Sequence, residues 1–125
     1  MRGWIDWNIV LDHNGGPNHV GNYCGAPIMI NTETSQVYYT PIYYVLAQFS
    51  KTIRSGDRAV QTNLDLNGLG SDALHACATI NADNLLSVQL LNTTKEDISC
   101  NLQIRDQYCE ARVDKNSLQT LQIQL

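Results

Sequence analysis

The chain has 125 residues, a formal net charge of −4, eight basic side chains spread without a cluster, and four cysteines. That length buries one real core but falls short of the roughly 250 residues a closed eightfold α/β barrel needs. The acidic balance argues against nucleic acid or an anionic membrane surface as main partner, and no apolar run approaches the roughly 20 residues of a membrane span.

Met1 and Arg2 run into the first predicted element without a signal-peptide apolar region, so the chain is read as soluble and without an address of its own. From Trp4 to Leu11 the parity of a strand sends Trp4, Asp6, Asn8 and Val10 one way and Ile5, Trp7, Ile9 and Leu11 the other. Neither face is cleanly polar. The stretch therefore reads as a strand covered on both faces, the usual state of parallel strands in α/β architectures. The loop Asp12-His13-Asn14-Gly15-Gly16-Pro17-Asn18-His19 follows, its glycines supplying positive φ and Pro17 stiffening the exit. A rigid polar loop after a buried strand is where α/β barrels put binding groups.

Ala26 to Asn31 reads as extended, residues 31–35 as a polar turn and Val37 to Tyr39 as extended again, which predicts a small hairpin. Thr40 is the expected N-cap, with Pro41 in the first helical turn. Ile42, Val45, Leu46, Phe49 and Ile53 keep helical spacing, and Lys51 and Arg54 suit the C-terminal end of the dipole. The tyrosines and phenylalanine of this helix are read as core packing. Residues 54–57 break it. Beyond them come six β-like runs, at Arg58 to Gln61, Ala73 to Ile80, Leu85 to Asn92, Asp97 to Ile104, Tyr108 to Val113 and Leu118 to Leu125. Antiparallel strands at this spacing predict a β-sandwich, with Asn63 to Gly70 as a turn-rich connection.

Few residues offer chemistry on their own. His13 and His19 lie six apart with no third ligand placed beside them, so no metal site is read. Gly15-Gly16 lacks the strand-G-x-G-x-x-G-helix setting of a phosphate loop. Cys24, Cys77, Cys100 and Cys109 have no C-x-x-C spacing and are expected as buried free thiols, although a hairpin would bring Cys100 and Cys109 together. Asn92-Thr93-Thr94 fits a glycosylation sequon, a common tripeptide that carries no weight by itself.

The segment GWIDWNIVLDHNGGPNHVGNYCGAPI, residues 3–28, resembles the end of the catalytic barrel in glycoside hydrolase family 30, in its glucosylceramidase branch. That family has a W-x-D-W-N core in the eighth strand, a G-G-P-N loop, an N-[FY] pair and a P-I segment. YYTPIYYVLAQFSKTIRSGDRAV, residues 38–60, resembles its last barrel helix and exit into a β-sandwich. Leu90 to Thr94 is similar to the point in many glycosidase sandwiches where a hydrophobic strand ends in an Asn-rich turn. The resemblance implies a mainly β chain with a small α/β part. Residues 1–54 would be the last strand, Gly-rich loop and last helix of a (β/α)8 barrel, and residues 55–125 an antiparallel β-sandwich domain.

It also implies retaining hydrolysis of a β-glucoside, with glucosylceramide giving glucose and ceramide, and no cofactor. Retention uses two carboxyl groups about 5 Å apart. In the family these are glutamates on barrel strands four and seven, upstream of Gly3, and none of Glu33, Glu96 and Glu110 sits in a matching motif. No catalytic residue is therefore assigned here, and this chain alone is expected to be inactive, its partner being the upstream barrel portion of the same enzyme. By resemblance, Trp7 lines the sugar site, where an indole packs on the apolar face of a pyranose. Asn22 and Tyr23 rim the same pocket, Asp6 holds its neighbours by hydrogen bonds, and Asn18 is structural. Trp4 is expected in the core. His19, Gly21 and the Gly25-Ala26 pair depart from the lysosomal pattern at the rim, which bears on the leaving group more than on the sugar. The rival reading is a stand-alone β-sandwich module that binds a glycan or a partner chain.

Overall fold

A computed structural model describes residues 4–125 of the protein. Met1, Arg2 and Gly3, where the leader reading and the start of the barrel-like segment fall, lie outside the described residues. The chain divides into two compact units, the first ending at Ser50 and the second running from Lys51 to Leu125.

The first unit holds β1 (Val10–Asp12), β2 (Ile28–Asn31) and β3 (Gln36–Tyr39) in one sheet of that order. β1 and β2 are parallel, with Leu11 opposite Met29, and residues 13–27 form the crossover that parallel pairing demands. β2 and β3 form the predicted hairpin, with Asn31 Oδ1 accepting the Glu33 and Thr34 amides in the turn. The strand predicted over Trp4 to Leu11 is shorter than expected. Only its last two residues, with Asp12, are in a strand, and Trp4, Ile5, Trp7 and Ile9 are exposed. Trp4 is thus not in a core formed by the described residues. A parallel strand is held by ladders to its neighbours, and β2 reaches β1 only from Ile9 onward, through the Ile28 N–H to the Ile9 carbonyl. The small core of this unit is built from Leu11, Ala26, Pro27 and the backbone of Gly15 and Gly16.

Helix α1 (Pro41–Thr52) begins where the sequence predicts, with Pro41 at its first position. The Thr40 hydroxyl donates to the Ala26 carbonyl at 2.9 Å, tying the helix start to the segment before β2. The helix has no fully buried residue, so the core packing expected of its tyrosines is not met by the described residues. Tyr43 instead packs on Tyr39 at 4.7 Å and edge-on to Tyr44 at 5.3 Å.

The second unit carries all six predicted strands within a residue or two. β4 (Arg58–Val60), β5 (Leu74–Ile80), β6 (Leu85–Asn92) and β9 (Ser117–Gln124) form an antiparallel sheet in the order β4-β5-β6-β9, and β7 (Ile98–Ile104) pairs with β8 (Gln107–Val113). Leu74, Ala78, Leu86, Val88 and Leu90 of the larger sheet meet Ile98, Ala111 and Val113 of the smaller. This is the two-layer packing of a sandwich. β6 is central, with Leu86, Val88 and Leu90 on the core face and Ser87 and Gln89 buried on the other. Because two strands cover four, a cleft of about 990 Å³ opens between the sheets, lined by Leu66, Leu74, Val88, Leu90, Ile98 and Leu102 among others.

Asn92, at the end of β6, is 0% exposed and fully satisfied. Its Nδ2 donates to the Glu96 and Val113 carbonyls at 2.8 and 3.1 Å, and its Oδ1 accepts the Thr94 amide and hydroxyl, each at 2.8 Å. The Asn-rich turn is therefore a pin between β6 and β8. The sequon nitrogen is consumed by it.

Candidate functional site

The loop leaving β1 is organised by one carboxylate. Asp12 Oδ1 accepts the Asn14 amide at 2.8 Å and the Gly16 amide at 2.9 Å. Its own N–H donates to the Gly16 carbonyl at 2.7 Å, and its carbonyl accepts the Gly15 N–H at 2.9 Å. This is an Asx-type turn, the local bonding that Asp favours at strand ends. The Gly16 N–H above all, aided by the Asn14 N–H and by His13, holds the Asp12 carboxyl below the ordinary carboxylate value against partial desolvation.

Gly15 turns the chain with φ of +79° and lies against the return strand of the loop. A Cβ there would sit 2.6 Å from both the N and the O of Cys24 and 3.1 Å from the Tyr23 carbonyl carbon. Only glycine permits that approach. Asn18 then bridges the two halves of the loop, its Nδ2 donating to the Gly15 carbonyl at 3.4 Å and its Oδ1 accepting the Asn22 N–H at 3.1 Å. The side chains so presented face solvent, Tyr23 being 77% exposed.

Asp6 and Trp7 precede β1. Asp6 Oδ1 accepts the Trp7 N–H at 2.8 Å, and the Trp7 indole is 59% exposed. An open indole offers an apolar face, and exposed amide and phenol groups offer directional hydrogen bonds, which is the chemistry a pyranose matches. Asn18 and Asn22 are joined by a hydrogen bond and Tyr23 follows Asn22 in the chain, whereas Asp6 and Trp7 meet each other. The positive φ expected of the loop's glycines holds at Gly15 and not at Gly16, and Asp12 had no role assigned from sequence, although the Asp-x-Asn-Gly-Gly run is a turn signal that points to it.

The remaining reactive groups lie elsewhere. No cluster of three or more His, Cys, Asp or Glu side chains able to hold a metal occurs among the described residues. His13 Nδ1 accepts the Thr32 amide at 3.4 Å. All four cysteines are free, and Cys77 and Cys109 are exposed rather than buried as expected, because they lie on strand faces turned away from the sandwich core or at its margin. β7 and β8 do bring Cys100 and Cys109 onto one face, as diagonal neighbours through the Cys100–Ala111 and Leu102–Cys109 pairs. Burial, reinforced by Cys109, pushes the Cys100 thiol up. No helix among the described residues is long and apolar enough to cross a membrane.

Residues 1–53 match the glycosyl hydrolase family 30 TIM-barrel domain, and residues 52–121 match the glycosyl hydrolase family 30 beta sandwich domain. The chain belongs to glycoside hydrolase family 30. Within the family it is similar to putative glucosylceramidase 4 of Caenorhabditis elegans, at 36% identity over 85% of this chain and 20% of that protein. It is also similar to lysosomal acid glucosylceramidase of Mus musculus, at 35% identity over 78% of this chain and 18% of that protein. The chain thus spans about a fifth of the length of these family 30 relatives. The crystal structure of SrfJ from Salmonella typhimurium shares its fold, with a TM-score of 0.84 at 23% identity over 95% of this chain and 26% of that one. The architecture is therefore that of the end of a family 30 barrel followed by the family's β-sandwich.

Proposed function

We propose that these residues are the C-terminal part of a retaining β-glucosidase that cleaves glucosylceramide to glucose and ceramide. Residues 1–54 contribute one wall of the sugar site and residues 55–125 form the accompanying sandwich. Trp7 stacks on the sugar ring, Asn22 and Tyr23 hydrogen-bond its hydroxyls, Asp6 orients the Trp7 backbone, and Asn18 sets Asn22. Similarity to glucosylceramidases at 35–36% identity supports the substrate class. The observation that carries the reading is the braced loop, whose internal bonds consume Asp12 and Asn18 and leave the side chains of Asn22 and Tyr23 for a ligand. The nucleophile and acid/base carboxylates are assigned to barrel strands four and seven, which these residues do not supply, so the 125-residue chain is inactive by itself and needs no cofactor.

A stand-alone sandwich that binds glycan or protein is favoured by one observation, the second unit's own hydrophobic core. Against it stands the exposed apolar stretch Trp4 to Ile9, whose backbone is largely without ladder partners. Hydrolysis of a fluorogenic β-glucoside separates the two. Turnover only when the chain is mixed with the upstream barrel portion, and weakened by Trp7→Ala, supports the glycosidase reading. Silence of that mixture sinks it, and turnover by the chain alone contradicts the assigned carboxylates.

A further inference from the structure

We propose that Asp12 is a positioning residue for the Asn22–Tyr23 pair. It rests on the reading of that pair as the rim of the sugar site, but its geometry is independent of any sugar. Asp12 is anchored by the β1–β2 ladder opposite Ile30, so its backbone is a fixed point of the sheet. From there Oδ1 seizes the Gly16 amide, and the Asp12 backbone N–H seizes the Gly16 carbonyl. Both ends of one residue are thereby locked to the strand. Gly15, its neighbour, is pressed against the backbone of Tyr23 and Cys24, and the Gly15 carbonyl receives Asn18, which in turn receives Asn22. A chain of direct contacts therefore runs from Asp12 to the backbone of residues 22–24. A Cβ added at Gly16 would itself meet this carboxylate, 3.0 Å from Asp12 Oδ2. Asn18 bridges the two halves of the loop and His13 meets Ile30 and Thr32, but Asp12 is the residue that binds Gly16 back to the end of β1.

The test has two arms. Amide resonances of the whole chain are assigned by NMR for the native sequence, Asp12→Ala and Asp12→Asn. Asp12→Ala is expected to displace the Asn22, Tyr23 and Cys24 amides together with Asn14 and Gly16, with amides of the sandwich core unmoved as a folding control. Asp12→Asn keeps an acceptor at Oδ1 and is expected to recover most of the native pattern. Should Asp12→Ala melt the first unit altogether, Asp12→Glu, which carries the carboxylate one methylene too far, is read instead. Displaced Asn14 and Gly16 amides with native Asn22 to Cys24 amides in either variant overturn the proposal. In the second arm, turnover of a fluorogenic β-glucoside by the chain mixed with the upstream barrel portion is expected to show KM raised about tenfold by Asp12→Ala, with kcat little changed and Asp12→Asn restoring KM. A fall in kcat at constant KM overturns it as well. A silent native mixture sinks the glycosidase reading, and the amide arm then decides Asp12 without it.

Discussion

Asn18 Oδ1 accepts the backbone N–H of Asn22 at 3.1 Å while the same side chain donates from Nδ2 to the Gly15 carbonyl at 3.4 Å. One amide thus uses its acceptor on the half of the loop that carries Asn22 and Tyr23 and its donor on the glycine turn. Asn18→Asp keeps the shorter bond and loses the longer, whereas Asn18→Ala loses both. Asn18→Ala is expected to move the Asn22 amide resonance further than Asn18→Asp does, and to weaken glucoside turnover of the mixed preparation more. Equal effects would assign the loop's register to some other contact.

Gly15→Ala meets two obstacles at once. Its φ of +79° is strained for any L side chain, and the new methyl collides with rigid backbone at Cys24. We expect a loss on the order of 2–4 kcal/mol from the first unit, read by thermal or urea unfolding followed at tryptophan. Gly25→Ala is the control, since nothing lies within 4 Å of a Cβ there.

Asn92→Ala leaves the buried Val113 carbonyl without its Asn92 donor and takes one partner each from the part-buried Thr94 amide and the Glu96 carbonyl, which keeps the Thr94 hydroxyl. Leaving a buried group of this kind unsatisfied costs about 1–3 kcal/mol. Urea unfolding of the sandwich is expected to show that loss. Asn92→Asp should do no better, because it replaces the donor with an acceptor facing two carbonyls. By the same geometry, expression in a glycosylating host should leave Asn92 unmodified by mass spectrometry, because its Nδ2 is buried and engaged.

Asp97 receives the Arg112 guanidinium at one oxygen and the Lys115 N–H, at 3.0 Å, at the other. The Arg112 hydrogen bond above all holds its carboxyl below the ordinary carboxylate value. A depressed folded value means that the stabilisation is present above the unfolded value of about 3.9 and is lost as pH falls through the folded one. Asp97→Asn should therefore flatten the acid side of a stability-versus-pH curve and leave its shape above pH about 5 unchanged. Both partners are solvent-exposed, so added salt is expected to shrink the native effect.

Leu90→Ala removes a side chain that is 1% exposed at the middle of the sandwich core. The expected loss is about 2–5 kcal/mol in the unfolding free energy of the second unit. Loop amides of residues 12–24 should be unaffected if that unit's core is self-contained.

Local chemistry determined much of this protein from sequence alone. Short β-like runs, with alternation over Leu118 to Leu125 and turn residues between them, were enough to place the sandwich strands, because strand period and turn dihedrals are properties of a few adjacent residues. Pro41 and the spacing from Ile42 to Phe49 likewise placed α1. The W-x-D-W-N and G-G-P-N motifs pointed to the family that the domain matches establish. What only the tertiary structure decided depends on partners far apart along the chain. Apolar residues on both faces made Trp4 to Ile9 look like a buried strand, yet a parallel strand exists only where a neighbour reaches it, and β2 stops at Ile9. Asn92 looked like an ordinary turn residue until Val113, 21 positions later, closed over it. Asp12 looked like one polar residue among several, and its weight comes from Gly15 resting on Cys24, a contact that exists only once the crossover to β2 has folded back on itself.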